Sequence, residues 1–386
     1  MASSDHSPDP RIAAADEALG RRDPSAARAL LEAAAASGEV GVDVWRKLAS
    51  MRRSTGDLQG AHAALRQALL YDPLDFIALL ALAGLLDQQE DPRAGEVYGQ
   101  ALAQRPAGQL PPSVERALHR GEGVYRAFQR AGEVHFLAAA YDSGAALDPD
   151  AQNRFERFAS NSARRTRPFH SEPTHFHYPG LREREFHPRD EFPWLAAWEG
   201  AASTIAAEFE RMVANESAEL VPYVQYADQA PLSQWRALNN SRDWTAVHLI
   251  QRGRTIEANA RSCPVTMEAL SLIPQPWIPG CGANAMFSLL APRTMIPPHS
   301  GVANFRLVAH LPLIVPSGCW FRVGAETREW QKGEAFIFDD TIEHEAANPS
   351  DQPRVVMIID CWHPDLDPAE RTAIAAALRG SEAAEF

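Results

Sequence analysis

Cysteine is scarce in this chain: Cys263, Cys281, Cys319 and Cys361 are its only four, and no two form a C-x-x-C pair. That dispersion argues against a disulfide framework or a cysteine metal centre, and suits a reducing cytoplasm. Positive charge is also short. Thirty-seven Lys and Arg face 50 Asp and Glu, for a net charge of −13. Phosphate backbones and anionic membrane surfaces are therefore repelled, and neither a nucleic-acid nor a membrane partner is expected. No apolar run reaches the ~18 residues that a membrane span needs. The opening MASSDHSPDPRIAAADEALG has no basic stretch followed by an apolar core, which argues against a secretory leader. No G-x-S-x-G and no P-loop is present. GCGANA (280–285) follows a Pro-rich segment and precedes a strand instead of opening a helix, so it does not fit a dinucleotide loop. What remains is ordinary globular composition, 45% hydrophobic and 23% charged, in 386 residues, long enough for two domains.

The two halves differ in periodicity. Residues 1–158 are rich in Ala, Leu, Arg and Glu and read as helix after helix. Asp23, Asp57 and Asp91 recur 34 residues apart, each opening a helical segment. Asp is a good N-cap, Pro24 and Pro92 suit a first helical turn, and Pro73 and Pro106 close the units. Ala27, Ala61 and Gly95 hold equivalent small positions where helices can approach closely. The pattern resembles tetratricopeptide repeats, stacked pairs of antiparallel helices. Residues 112–158 continue or cap the array. Such an array either extends the stability of its neighbour or offers a concave surface to a peptide or protein partner, and the spacing leaves both open.

Residues 159–386 change texture. A stretch rich in Pro, His and aromatics (164–195) reads as an irregular entry segment, in which His170, His175 and His177 suit packing and hydrogen bonding better than metal ligation. A helix is expected over 193–214. Short strands follow at 246–251, 285–290, 304–315, 320–323, 335–338 and 354–360, with turn signals between them, which suggests a β-sandwich or jelly-roll barrel.

The chemistry gathers at the strand ends. His299 lies in PPHSGVANFRLVAHLPLIV and His344 in FDDTIEHEA, with Arg354 ten residues further on. Two histidines on separate strands and a following arginine suit an open iron site that holds an acidic cosubstrate. Such sites usually add a carboxylate two residues after the first histidine, where this chain has Gly301. Asp339, Asp340, Glu343 and Glu345 stand near His344, and the two aspartates read as turn residues that orient an imidazole. Alternation puts Asn304, Arg306, Val308 and His310 on one strand face and Phe305, Leu307, Ala309 and Leu311 on the other. A guanidinium at Arg354 can pair bidentately with a carboxylate.

These motifs, with ETREWQKGEAFIFDDTIEHEA, RVVMIIDCWHPDL and the entry HYPGL…FPWL, resemble the aspartyl/asparaginyl β-hydroxylase family of iron(II)- and 2-oxoglutarate-dependent oxygenases. The resemblance covers most of 178–366. It implies a C-terminal double-stranded β-helix, or jelly-roll, domain beside the N-terminal helical tetratricopeptide-like array. It also implies only two protein ligands to iron, His299 and His344, because HSG is the family's pattern. Arg354 and Ser288 would hold the distal carboxylate of 2-oxoglutarate, and His310 its metal-side carboxylate. An arginine is often found where this chain has Val308, and Arg306 on the same face is the nearest substitute. The implied reaction is hydroxylation of a carbon, foremost the β-carbon of Asp or Asn in a polypeptide. Free amino acids, peptide natural products and lipid acyl chains are alternatives, and so is a non-catalytic scaffold. Residues 242–254 are a further expected source of arginines, together with Trp244, for a substrate carboxylate.

Overall fold

The computed structural model describes residues 9–37, 40–215, 219–227 and 233–379. Residues 1–8, the start of the stretch read for a leader, lie outside them. The chain divides into two compact units, Met1–Arg167 and Pro168–Phe386.

The first unit is helical throughout its described residues. It comprises α1 (Pro10–Gly20), α2 (Pro24–Ala35), α3 (Val42–Ser54), α4 (Leu58–Tyr71), α5 (Phe76–Gln88), α6 (Ala94–Ala103), α7 (Pro112–Asp142) and α8 (Pro149–Ser162). Asp23 and Asp57 cap α2 and α4 by accepting from the backbone N–H of Ala26 and Gly60. Asp91 departs from the pattern. Its carboxylate accepts from Arg93 instead, and α6 opens at Ala94 without a side-chain cap. Ala27, Ala61, Leu31, Leu48 and Leu65 are buried in the shared helical core. At Gly95 an added Cβ would lie 2.3 Å from the Phe128 side chain, so any larger residue would push α6 off α7. Gly144, at φ +67°, ends α7 in the left-handed region that favours glycine. Because α8 continues past Phe158, the units divide at Arg167 and not at 158.

The second unit begins with the irregular entry segment, followed by α9 (Leu195–Gly200) and α10 (Ala202–Ala214) where one helix was expected. Its strands are β1 (Val221–Pro222), β2 (Trp244–Gln251), β3 (Arg254–Thr255), β4 (Ala285–Leu290), β5 (Thr294–His299) and β6 (Arg306–Ile314). They continue as β7 (Trp320–Val323), β8 (Glu326–Glu329), β9 (Phe336–Phe338), β10 (His344–Asn348) and β11 (Arg354–Trp362). Helices α11 (Glu257–Ala260) and α12 (Pro264–Ser271) lie between β3 and β4, and α13 (Pro368–Leu378) follows β11.

The expected closed jelly-roll, or double-stranded β-helix, is corrected by the strand pairing. Two open sheets form: a seven-stranded one in the order β1-β2-β4-β11-β6-β9, with β3 also on β2, and a four-stranded one in the order β5-β10-β7-β8. Among the described residues neither closes on itself. The ladder ends at β9, where Phe338 pairs with Val308 of β6 on one side and makes an isolated bridge to Phe186 of the entry segment on the other, and at the two-residue β1. The architecture is thus mixed α and β with open sheets.

Alternation along β6 divides two cores. Leu307, Ala309 and Leu311 pack with Ile205, Phe209 and Met212 of α10, while Val308 joins Ile296, Phe321 and Val323 of the small sheet. Arg306 and His310 share the face of Val308, so polar groups of the large sheet meet the small sheet where β5 and β10 carry their histidines.

Candidate active site

His299 ends β5 and His344 opens β10, directly opposite each other in the ladder. Their ring centroids are 4.0 Å apart. Each ring reaches back two residues: His299 Nδ1 lies 2.8 Å from the Pro297 carbonyl oxygen and His344 Nδ1 3.1 Å from that of Ile342. A carbonyl can only accept, so Nδ1 carries the proton and both Nε2 lone pairs are left for another partner. Burial, followed by the neighbouring His344, lowers His299 to about 3, and burial lowers His344 to about 4. Both rings are therefore neutral near pH 7, as metal ligands must be.

Gly301 is occupied territory. Its N–H donates to the Asp340 backbone oxygen at 2.6 Å, and an added Cβ would meet an Asp340 carboxylate oxygen. Asp340 Oδ2 accepts from Arg306 at 3.0 Å, whereas Oδ1 is buried without a protein partner. Among the described residues no group of three His, Cys, Asp or Glu side chains is placed to hold a metal. Asp339 accepts from the Thr341 N–H and hydroxyl, and Glu343 and Glu345 pair with Arg322.

Arg354 opens β11 and is 1% exposed. Its guanidinium lies 4.8 Å over the Trp330 ring, its Nε has no partner, and no carboxylate pairs with it among the described residues. Burial lowers it to about 10, which leaves it charged at neutral pH. Ser288, fully buried, sits on the same sheet face and accepts from Trp244 Nε1 at 3.0 Å, so its own O–H is free to donate. His310 lies among Phe321, Trp330, Phe336 and Phe338, and Trp330 Nε1 points at its Nδ1 from 3.4 Å. Burial, then the charge of Arg354, holds its pKa well below the usual imidazole range.

Arg306 is committed elsewhere, 3.0 Å from Asp340 and 3.4 Å from Asp360. Burial opposes its charge, but the two carboxylates outweigh that and raise its pKa. Arg242, Arg252 and Arg254 are exposed, whereas Trp244 is buried. His170, His175 and His177 bond to Glu183, Thr174 and Asn304.

Sequence reasoning missed an aromatic wall. Tyr223 stacks on Trp244 at 3.8 Å, and Trp235 meets His299 edge-on at 4.9 Å. Both missed residues come from an aperiodic connection between α10 and β2, which carries no signal that would place them beside a histidine on β5. Two free imidazole nitrogens with the usual third position filled by a held carboxylate fit an open metal site. A buried guanidinium without a counter-ion fits an anionic cosubstrate.

Residues 199–364 match the profile of a protein family described as Aspartyl/Asparaginyl beta-hydroxylase. The matched residues all lie in the second unit, so it is this unit that is similar to aspartyl/asparaginyl β-hydroxylases. The human Aspartyl/asparaginyl beta-hydroxylase is 32% identical over 186 residues, 48% of this chain and 24% of that protein. Aspartate beta-hydroxylase domain-containing protein 2 of Xenopus tropicalis is 31% identical over 213 residues, covering 54% of this chain and 55% of its own length. The Ornithine lipid ester-linked acyl 2-hydroxylase of Rhizobium tropici is 35% identical over 181 residues, 46% of this chain and 60% of that protein. The chain thus spans between a quarter and about three fifths of these relatives. The matched segment includes all six residues singled out above as site candidates: Ser288, His299, Arg306, His310, His344 and Arg354.

Proposed function

We propose that the chain is an iron(II)- and 2-oxoglutarate-dependent dioxygenase that hydroxylates a carbon, foremost the β-carbon of an Asp or Asn residue in a peptide or protein. The observation that carries this reading is a neutral pair of histidines with free Nε2 atoms beside a buried, unpaired arginine. His299 and His344 hold the metal. Arg354 and the Ser288 hydroxyl take the distal carboxylate of 2-oxoglutarate, and His310 stands between them and the histidine pair. The oxidant would be dioxygen, activated at the bound iron with 2-oxoglutarate as the two-electron reductant, so that one oxygen atom enters the C–H bond and the other succinate as carbon dioxide leaves. The aromatic wall of Tyr223, Trp235 and Trp244 keeps water from that volume.

A second reading, hydroxylation of a lipid acyl chain or other small molecule, is favoured by the similarity to the Rhizobium tropici acyl hydroxylase. The helical unit, with its Asp-capped helix pairs, supports a tetratricopeptide-like surface for a polypeptide, and so favours the first.

An oxygen-free iron titration of the full chain should reach one iron per chain, with no tight binding left in His299→Ala or His344→Ala. Consumption of 2-oxoglutarate in air should vanish in both variants. Near-normal iron affinity or turnover in either would sink the assignment.

A further inference from the structure

The site has two ends. Arg354 and Asp360 stand on the same face of β11, six residues or about 20 Å apart at ~3.3 Å per residue. Across the ladder Arg306 sits opposite Trp362 and His310 opposite Ile358, so Arg306 belongs to the Asp360 end. A cosubstrate anchored at Arg354 is too short to reach it, and that end is left for substrate.

Carboxylates already outnumber cations there. Arg306 bonds Asp340 at 3.0 Å and approaches Asp360 at 3.4 Å. Asp360 also accepts from the N–H and the side-chain amide of Asn284, at 2.9 and 2.8 Å. One guanidinium therefore faces two carboxylates. Arg306 and Arg354 are the only Lys or Arg on the inner face of β2, β4, β11 and β6 among the described residues. Around them that face is apolar, with Met286, Val308 and Ile358 each below a tenth exposed.

Resting on the oxygenase reading above, we infer that this site takes the neutral amide of asparagine and rejects the carboxylate of aspartate. A third carboxylate would be brought against two carboxylates that already share the one arginine. An amide carries no charge and brings two N–H donors to a wall that holds an unpartnered acceptor, Asp340 Oδ1.

The full-length iron protein, with 2-oxoglutarate and air, should be given a pool of peptide pairs that differ only in Asn or Asp at one position. Mass spectrometry should show the Asn peptides hydroxylated at least about tenfold faster, a ratio worth ~1.4 kcal/mol. Under nitrogen, with zinc replacing iron, N-acetylasparagine amide should perturb the fluorescence of Trp235 and Trp244, and the aspartate analogue should not. Val308→Arg, which adds a cation beside Arg306, should bring the two peptides towards parity. Asp360→Asn, which removes one carboxylate, should act in the same direction if Val308→Arg fails to fold. Equal or faster turnover of the Asp peptides by the unaltered protein overturns the inference, as does a preference that neither variant changes. If 2-oxoglutarate decays while neither side chain is bound or modified, the amide assignment falls and the oxygenase reading stands. Failure of the unaltered protein to bind iron at all would instead remove the oxygenase reading.

Discussion

Gly301 shows how one residue's surroundings decide what the sequence alone leaves open. From the sequence, an aspartate at this position looks tolerable, because a carboxylate commonly stands there in open iron sites. The structure corrects that, since Asp340 already fills the space a side chain would need. Gly301→Asp should lower the melting temperature, and the double variant Gly301→Asp/Asp340→Gly should recover much of the loss. Equal melting of the single variant and the unaltered protein would contradict the crowding. Arg354 makes a second case. Without a bound anion its guanidinium is buried and unpaired, so Arg354→Met should stabilise the cosubstrate-free protein, by roughly 1–4 kcal/mol if it follows other apolar replacements of buried charge. The same variant should raise the apparent 2-oxoglutarate constant at least about tenfold, because truncating a buried charge pair typically costs ~2–5 kcal/mol. A variant that is less stable without cosubstrate would show that Arg354 has a protein counter-ion. His299, His344 and Arg354 stood out in the sequence by their motifs, while Ser288 and the role of His310 were named only through the family resemblance. Asp340 as the occupant of the glycine's space was not legible, because the contact is made between the segment after β5 and the turn between β9 and β10, and no pattern along either encodes it.

Elements that follow a simple period were readable, and the histidine-bearing ones were not. Strands β4 and β7 match the expected bounds, and β6 and β11 are close to them, because each is a run of apolar residues alternating with polar ones or wholly buried. Strand β5, TMIPPH, contains two prolines, and β10, HEAAN, has no β-branched residue, so neither registers as a strand by composition. They are held by their partners instead. Asn348, at the end of β10 and fully buried, donates its amide to the carbonyls of Leu290, Ala291 and Gln352 at 3.0, 3.0 and 2.8 Å. Its Oδ1 accepts from the Ser350 hydroxyl at 2.7 Å. This single side chain ties the end of β10 to the turn between β4 and β5. Asn348→Ala would leave buried carbonyls unsatisfied and should cost on the order of 3 kcal/mol in unfolding free energy. Iron affinity should fall with it, because β5 and β10 carry the two histidines. A loss within ±0.5 kcal/mol in denaturant titration would mean that the ladder alone positions β10.

At the scale of the whole molecule, each unit has its own hydrophobic core, one around Leu31, Leu48 and Leu65 and the other around the two sheets. The change of texture near residue 160 was readable because a 3.6-residue period gives way to short alternating runs. The open sheets were not, because closure depends on which edges pair. Two cores predict two calorimetric transitions, of which only the second unit's should respond to the ligands of its site. Zinc with 2-oxoglutarate at a hundred times its dissociation constant should stabilise that transition by ~2.7 kcal/mol and leave the helical one in place. Acid should separate them further. Burial lowers His187, His248 and His344 to about 4 and His299 to about 3, and all four lie in the second unit. For a histidine whose folded pKa is depressed, the unfolded chain takes up its proton below about 6.5 while the folded chain does not. Stability from these groups is therefore present above pH 6.5 and lost as pH falls towards about 4. Asp339, pushed up to about 7 by burial, and Asp360, also raised by burial, act in the opposite sense, but with His310 and His363 also lowered they are two groups against six. The second unit's transition in metal-free protein should thus fall between pH 6.5 and 4, and His248→Gln should flatten the slope. A single transition that shifts as a block with both ligand and acid would show that the two cores unfold as one cooperative structure.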